Sequence, residues 1–166
     1  MINDFALKRL SSSDGEEGYE LLQRIGLKEN DFTNPMHGKS FDDYKTWLIQ
    51  QDDWSRGENL PQGYMGQTCF WLIYKKTIVG MVKIRHGLTE QSRKEGGNIG
   101  IAIDPGQRGK GLATNFISLI LAQAKEMNIG EILITVKKYN YPSKAAFEKN
   151  GCKVTKETEN WWYLTF

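Results

Sequence analysis

The segment that most restricts the fold of this chain runs from Asn98 to Ile134. Isoleucines alternate with small or polar residues over 98–104, a pattern typical of a strand, and Pro105 ends it. Apolar residues then recur at helical spacing over 112–127, and the apolar run 132–134 is typical of a strand covered on both faces. The order strand, helix, strand predicts a crossover connection that places strands 98–104 and 131–136 parallel to each other.

Further strands and helices are predicted on both sides of this unit. Before it, we expect a strand over 5–10, a helix capped by residues 11–14 that ends near Ile25, a helix from Ser40 to near Gly57, and an antiparallel pair over 70–74 and 78–85. After it, we expect a short helix over 143–150 and a hairpin of 152–157 with 160–166. A length of 166 residues with 39% hydrophobic residues fits one core. We therefore predict a single α/β domain over residues 1–166.

Composition and charge narrow the classes of function. A formal net charge of +2 is too small to indicate a nucleic-acid or membrane surface. Cys69 and Cys152 are far apart in sequence and have no metal-ligand spacing, so we expect two reduced thiols and no bound metal. The first residues lack the pattern of a secretory signal, and no window approaches the roughly 18 apolar residues of a membrane span. We expect a cytoplasmic protein without nucleic-acid or membrane partners.

A glycine-rich loop joins strand 98–104 to the helix that follows it. Residues 104–114 contain glycines at 106, 109 and 111, together with Arg108 and Lys110. Glycines allow tight turns and leave backbone N–H groups accessible, and the first turn of a helix carries a partial positive charge. The loop therefore predicts a binding site for an anionic group such as a diphosphate. The alternative is a tight turn with two solvated cations.

Two other phosphate-binding motifs do not fit this loop. A P-loop requires Gly-Lys and then Ser or Thr, but five residues after Gly106 the chain has Gly111 and Leu112. A dinucleotide fingerprint requires a third glycine where Thr114 stands, and the next strand leads into two lysines at 137–138 in place of the acid that binds the ribose. A nicotinamide-dependent enzyme is therefore disfavoured.

The pattern Arg108-x-x-Gly111-x-Ala113 after a strand resembles the (Gln/Arg)-x-x-Gly-x-(Gly/Ala) signature of the GNAT superfamily of N-acetyltransferases. The similarity continues into Asn140-x-x-Ser143 and into the helix that leads to Gly151. It covers about residues 97–152, whereas the N-terminal part resembles the family only in element order. The resemblance implies a GNAT-like fold, in which a central, mostly antiparallel sheet flanked by helices splays at the parallel strand pair.

The resemblance also implies acetyl-CoA as co-substrate, bound by a core of about residues 97–152. The pantetheine arm would lie between the two splayed strands, beside the small residues Gly100 and Ala102. Loop 109–113 would hold the diphosphate, while Asn140 and Ser143 would contact the arm or the phosphates. By position, the implied cofactor-binding residues are Ile101, Ile103, Arg108, Gly109, Lys110, Gly111, Leu112, Ala113, Asn140 and Ser143.

Acetyl transfer to an amine requires a neutral nucleophile, a polarised thioester carbonyl and a proton for the departing thiolate. The candidate catalytic bases are His86, at the end of its strand, and Glu90 or Glu95 in the polar connector 87–97. Many GNAT enzymes protonate the thiolate with a tyrosine seven residues after the asparagine, but Phe147 stands at that position here. The proton then comes from water or from one of the two nearby tyrosines, at 139 and 141.

The predicted function is transfer of an acetyl group from acetyl-CoA to the primary amine of a small molecule, an amino acid or an aminoglycoside. Loop 58–66 and connector 87–97 would shape the acceptor pocket. Two alternatives stay open, namely a protein or peptide N-acetyltransferase and a non-catalytic acetyl-CoA-binding module. The aromatic run 161–166 predicts either burial within the domain or a contact in a homodimer.

Overall fold

The computed structural model of the chain describes residues 4–166. Its strands are β1 (Phe5–Arg9), β2 (Lys28–Glu29), β3 (Phe32–Thr33), β4 (Gln67–Tyr74), β5 (Thr77–Arg85), β6 (Ile99–Ile103), β7 (Leu133–Lys137), β8 (Lys153–Glu157) and β9 (Trp161–Thr165). Its helices are α1 (Glu16–Arg24), α2 (Phe41–Ser55), α3 (Glu90–Lys94), α4 (Leu112–Glu126) and α5 (Tyr141–Lys149). Within these residues no helix combines the length and the apolar character that a membrane crossing requires.

Two antiparallel sheets form the centre of the fold. The first has the strand order β1-β4-β5-β6, and the second has the order β7-β9-β8. One apolar core lies between the first sheet, α4 and the second sheet, and includes Phe116 and Leu164, both fully buried. Another core lies between the opposite face of the first sheet and α1 and α2, and includes Leu21 and Trp71. The predicted α/β fold with a mostly antiparallel sheet flanked by helices is confirmed.

The two sheets meet at the start of β6 and β7. The Asn98 N–H donates to the Leu133 carbonyl at 2.7 Å, and the Leu133 N–H donates to Asn98 Oδ1 at 2.8 Å. Gly97, with φ +57°, allows this approach, because a Cβ there would lie 2.3 Å from the Leu133 carbonyl oxygen. Among the described residues no ladder joins the two strands beyond this point. The predicted strand pair therefore splays apart from a pinned start.

Local sequence signals explain several element boundaries. Ser40 and Asp43 form a reciprocal capping box at the start of α2. The predicted antiparallel pair forms β4 and β5, joined by a two-residue turn in which Lys75 and Lys76 both have positive φ, at 48° and 68°. The C-terminal hairpin is also confirmed, and β9 lies between β7 and β8 with Trp162 and Leu164 buried.

Three local predictions were wrong. Helix α1 is preceded by Gly15 without a side-chain cap, because the Asp14 carboxylate accepts hydrogen bonds from the Ser11 N–H and from Trp71 Nε1. Residues 28–39, which lack periodicity and are predicted to form a loop, contain the β2–β3 hairpin, and the connector 87–97 contains α3. Neither short element has the length over which periodicity becomes visible.

Candidate functional site

The loop between β6 and α4 has the backbone geometry of an anion site. Gly109 and Gly111 have φ values of +74° and +73°, which only glycine adopts without strain, and a Cβ at either position would meet no atom within 4 Å. The 15-residue helix α4 begins directly after Gly111. The open space above the loop therefore faces the positive end of a helix dipole.

Asp104 fixes the start of this loop. Its side chain is buried, with Oδ2 accepting from Arg24 Nε at 2.7 Å and Oδ1 accepting from the Gly106 N–H at 3.0 Å. The ion pair ties the loop to α1, across the first sheet from α4. A loop held at its base in this way keeps its N–H groups in place without a ligand.

A cavity of about 480 Å³ lies over the loop and extends between β6 and α5. It brings together residues that are far apart in sequence. The residues implied by the resemblance that line it are Ile101, Ile103, Arg108, Gly109, Gly111, Leu112, Ala113, Asn140 and Ser143. Lys110 lies outside the lining, and its Nζ donates to Gln107 Oε1 at 2.9 Å.

The backbone of β6 supplies hydrogen-bonding groups to this cavity. The Asp104 N–H donates to Val79 on β5, whereas the Ile103 carbonyl accepts from Arg108 Nε at 3.0 Å on the opposite side. Because backbone groups of successive residues in a strand point in opposite directions, those of Ile101 and Ile103 face away from β5. They lie along the edge where the sheet splays, which is where an extended amide-bearing arm could pair with them.

A smaller cavity of about 50 Å³ continues into the gap between β6 and β7. Residues 99–101 line one side of it and residues 134–136 line the other. Phe147, which is 2% exposed, forms part of its wall at the position where many GNAT enzymes carry a tyrosine. Tyr139 and Tyr141 are 64% and 66% exposed on the outer surface, and the Tyr141 ring packs against Trp162.

Ala102 meets the expectation for the small strand face in part, since it lines the cavity over the loop. Its side chain is 5% exposed and packs in the core beneath α1 and α2. Gly100 is different, since a Cβ there would lie 3.7 Å from Phe32 Cδ2 and the residue lines the smaller cavity. Packing therefore explains the small residue at 102, and the gap itself is bordered by Gly100.

The β2–β3 hairpin, which sequence reasoning missed, crosses the mouth of both cavities. The Glu29 carboxylate lies 3.2 Å from Arg108 Nη2, and the Asp31 carboxylate lies 3.6 Å from Lys137 Nζ on β7. Burial raises the pKa of Asp31, and the nearby Lys137 opposes that rise. The turn of the hairpin thus forms one ion pair with the glycine loop and another with the far side of the gap.

The three candidate bases lie in different surroundings, and the exposed Glu90 accepts from Lys94 Nζ at 3.3 Å. The His86 ring accepts from or donates to Thr68 Oγ1 at 2.7 Å through Nε2, and burial together with Arg9 lowers the pKa of His86. Its side chain borders two other cavities, beside Gly87 and beside Phe70. Glu95 is exposed at the end of α3, close enough to Asp31 to raise the pKa of that carboxyl. The described residues contain no cluster of three or more His, Cys, Asp or Glu side chains placed to hold a metal.

Comparison with known proteins places this architecture in a family. The family model described as an acetyltransferase (GNAT) domain matches residues 6–153. A sequence search of curated proteins found no match. Solved structures do match over nearly the whole chain.

Three of these structures show the shared fold. Ribosomal-protein-S5-alanine acetyltransferase from Vibrio fischeri matches with a TM-score of 0.70 and 16% identity, covering 98% of this chain and 92% of that one. Spermidine N-acetyltransferase from Vibrio cholerae, a dodecamer, matches with a TM-score of 0.65 and 17% identity, covering 99% of this chain and 94% of that one. N-acetyltransferase PseH from Campylobacter jejuni, in complex with acetyl coenzyme A, matches with a TM-score of 0.62 and 12% identity, covering 98% of this chain and 97% of that one.

Proposed function

Since the chain belongs to the GNAT acetyltransferase family and is therefore an acyltransferase that uses acetyl-CoA, we propose that it acetylates the primary amine of a small molecule, an amino acid or an aminoglycoside. The observation that carries this proposal is the pair of adjoining cavities, one over the glycine loop and one in the gap between β6 and β7, which share Ile101, Asn140 and Ser143. The pair has an anion-binding end and a narrow end, as a diphosphate joined to a long amide-bearing arm requires.

The proposed binding roles follow from the local chemistry. Amides of 109–113 and the Arg108 guanidinium would bind the diphosphate, because N–H groups at a helix start and a fixed cation both favour oxyanions. The outward-facing backbone groups of Ile101 and Ile103 would pair with the pantetheine amides. Asn140 and Ser143, which border both cavities, would contact the arm between these two points. Lys110 would contribute only through the electrostatic field, since its Nζ is held by Gln107.

Bound acetyl-CoA supplies the thioester, at which the amine lone pair forms the new C–N bond, the C–S bond breaks and coenzyme A leaves as a thiolate. The protein has to supply a base for the amine proton, because deprotonating an ordinary amine of pKa about 10.4 near pH 7 costs about 4.6 kcal/mol. His86 and Glu95 are the proposed bases. The lowered pKa of His86 leaves its ring neutral at pH 7 and able to accept a proton. Phe147 has no proton to donate, so the thiolate is proposed to take one from water.

A thiol-release assay with a panel of amines tests this proposal. The wild-type protein should release coenzyme A thiol only when an acceptor amine is present, and the amine should gain one acetyl group by mass spectrometry. Gly111→Val should abolish release by straining the loop and filling the space above it.

Gly57→Val is the matched control for that variant, because Gly57 has φ +75° and is equally open but lies at the end of α2. It should carry the same backbone strain and keep activity. Binding of acetyl-CoA without acetylation of any amine would instead support the alternative of a non-catalytic acetyl-CoA-binding module.

Two further parts of the proposal concern the cell and the assembly. Cys69 and Cys152 are both buried and unbridged, which supports the proposal of a reducing, cytoplasmic location. For a homodimer contact we propose the half-buried Trp161, Tyr163 and Phe166 at the end of the chain.

A further inference from the structure

A third cavity, of about 450 Å³, lies on the face of the first sheet opposite α4. Helix α2 and residues 35–39 form its walls, and strands β4 and β5 form its floor. Trp47 and Trp54 give it two aromatic surfaces, while Gln51, Gln67 and Lys83 give it polar groups. A cavity of this size with a few convergent polar groups is typical of a site for a small molecule.

Lys83 is a cation without a carboxylate partner at the floor of this cavity. Its Nζ donates to the Thr33 carbonyl at 2.6 Å and lies 4.5 Å from the centre of the Phe32 ring. Arg85 follows on the same face of β5 and donates to the Gly97 carbonyl at 3.0 Å. Over residues 4–166 neither side chain forms an ion pair.

Both side chains are half-buried, and partial burial makes these two unpaired charges costly. It lowers the pKa of Lys83 to about 8, with Arg85 adding to the effect, and it also lowers the pKa of Arg85. A desolvated cation is destabilising unless an anion or several hydrogen bonds compensate for it. Among the described residues, carbonyl oxygens and the Phe32 ring do so, which leaves the Coulombic attraction of an anion available to a ligand.

Gln51 supplies an amide group to the same lining. It is 3% exposed, and its Oε1 accepts from Gln67 Nε2 at 2.7 Å and from Cys69 Sγ at 3.4 Å. Its Nε2 has no acceptor among the residues that the structure describes. Since no buried side-chain nitrogen of these residues lacks a partner, this donor is accessible from the cavity and can donate to an acceptor atom that enters it.

The remaining charges of the lining do not favour a polycation. Asp43 already accepts hydrogen bonds from the Ser40 N–H and hydroxyl, which also lower the pKa of its carboxyl. Lys39 adds a second positive charge. An acceptor with several ammonium groups would therefore meet two lysines and one carboxylate that is already engaged.

This cavity and the gap between β6 and β7 are lined by residues that pair across neighbouring strands. Lys83 on β5 is the direct cross-strand partner of Gly100 on β6, and Gly100 borders the gap. The Phe32 ring separates the two spaces, contacting Lys83 on one side and approaching Gly100 on the other. Cross-strand partners are about 5 Å apart, so a molecule in the cavity could present an amine to the gap past Phe32.

We propose that this cavity binds the acceptor and selects amines that also carry an oxyanion, a carboxylate or a phosphate, bound by Lys83 and the Gln51 amide. This inference rests on the proposed acetyl transfer and narrows its substrate class. It favours amino acids over aminoglycosides among the acceptors proposed above. Trp47 and Trp54 would contact the carbon skeleton of the acceptor.

Matched amines test the proposal. An amino acid is compared with its amide, an amino sugar phosphate with the unphosphorylated sugar, and both pairs with a linear polyamine. At least one anionic member should have a kcat/KM about 10-fold or more above that of its neutral partner, as expected for a charge-assisted hydrogen bond. The pair that shows the preference identifies whether the oxyanion that the cavity binds is a carboxylate or a phosphate. Equal rates within both pairs, or a preference for the polyamine, would refute the proposal.

Two variants assign the preference to the cavity. Gln51→Glu keeps the shape and the acceptor oxygen but adds a negative charge, so it should remove the preference while leaving the KM for acetyl-CoA unchanged. Lys83→Met should also remove the preference and leave the KM for acetyl-CoA unchanged if the protein stays folded. Asn160→Asp and Lys149→Met carry the same charge changes on exposed positions and should behave as wild type. Preservation of the preference in Gln51→Glu would contradict the assignment.

A binding measurement keeps this proposal separate from the catalytic one. N-acetyl amino acids and their amides are titrated into the protein by calorimetry, which requires no turnover. Tighter binding of the acid, lost in Gln51→Glu, supports the site even if no amine releases thiol. Equal binding of acid and amide, or no binding of either, overturns the site even if acetyl transfer occurs.

Discussion

Replacing Glu29 by glutamine should tighten the binding of acetyl-CoA. The Glu29 carboxylate borders the larger cavity and lies 3.2 Å from the Arg108 guanidinium, which is the cation proposed to hold the diphosphate. A diphosphate bound to Arg108 would compete with this carboxylate and would also be repelled by it. Glutamine keeps the size of the side chain and removes both effects.

The size of the gain follows from Coulomb's law. A phosphate oxygen on Arg108 would lie about 6 Å from the carboxylate, where two unit charges repel by about 0.7 kcal/mol in water and by about 2.8 kcal/mol at an effective dielectric constant of about 20. The Arg108 and Glu29 side chains are 45% and 25% exposed, so the smaller value is the appropriate one. It corresponds to binding that is about 3-fold tighter, and the gain should shrink as salt is added.

Calorimetric titration of acetyl-CoA at low and high ionic strength measures this effect. Glu126→Gln, which removes the same charge from the exposed end of α4, should not change the affinity. Arg108→Gln should weaken binding about 10-fold or more through loss of a charge-assisted hydrogen bond. Weaker binding in Glu29→Gln would refute the reasoning, since it would mean that Glu29 positions Arg108 for the ligand and does not compete with it.

Three further predictions concern the scaffold and the chemistry. Ser40→Ala should lower the free energy of unfolding by about 1 kcal/mol, measured in denaturant, because it removes the capping box of α2; no loss would mean that the box is not formed in solution. Gly97→Ala should lower the free energy of unfolding by about 2 kcal/mol or more, because its Cβ would lie 2.3 Å from the Leu133 carbonyl oxygen at φ +57°. A thermal transition like that of wild type would show that the sheets do not meet there. If His86 is the base, kcat should fall as the pH drops through a value below 6.5, since burial and Arg9 lower the pKa of His86 and the ring must be neutral to accept a proton. That low-pH limb should disappear in His86→Gln, and its survival there would exclude His86 as the base. A falling limb near pH about 10 should be absent from wild type, because Phe147 has no proton to donate.

The sequence was sufficient to predict the elements that repeat a pattern over many residues. The alternation over 98–104, the helical spacing over 112–127 and the glycines between them predicted β6, the loop and α4. These elements carry most of the large cavity. The residues that line it could be named because the pattern Arg108-x-x-Gly111-x-Ala113 resembles the GNAT signature, which implies their positions.

The sequence did not predict contacts that depend on distant partners. The β2–β3 hairpin has two residues in each strand and no periodicity, so nothing local indicates that Glu29 and Asp31 reach Arg108 and Lys137. Ala102 is small because α1 and α2 pack against it, which alternation along the strand cannot reveal. The third cavity likewise forms between α2 and two strands that follow it by more than ten residues.

Hydrogen–deuterium exchange with and without saturating acetyl-CoA tests the central claim most directly, because it locates the bound molecule without requiring the acceptor. The account predicts slower exchange at the backbone N–H groups of 109–113 and at those of Ile101 and Ile103, which face the gap. The N–H groups of Gly100 and Ala102, already bonded to β5, should change much less. Protection confined to another part of the chain, or none at saturation, would contradict the placement of acetyl-CoA between the glycine loop and the splayed strands.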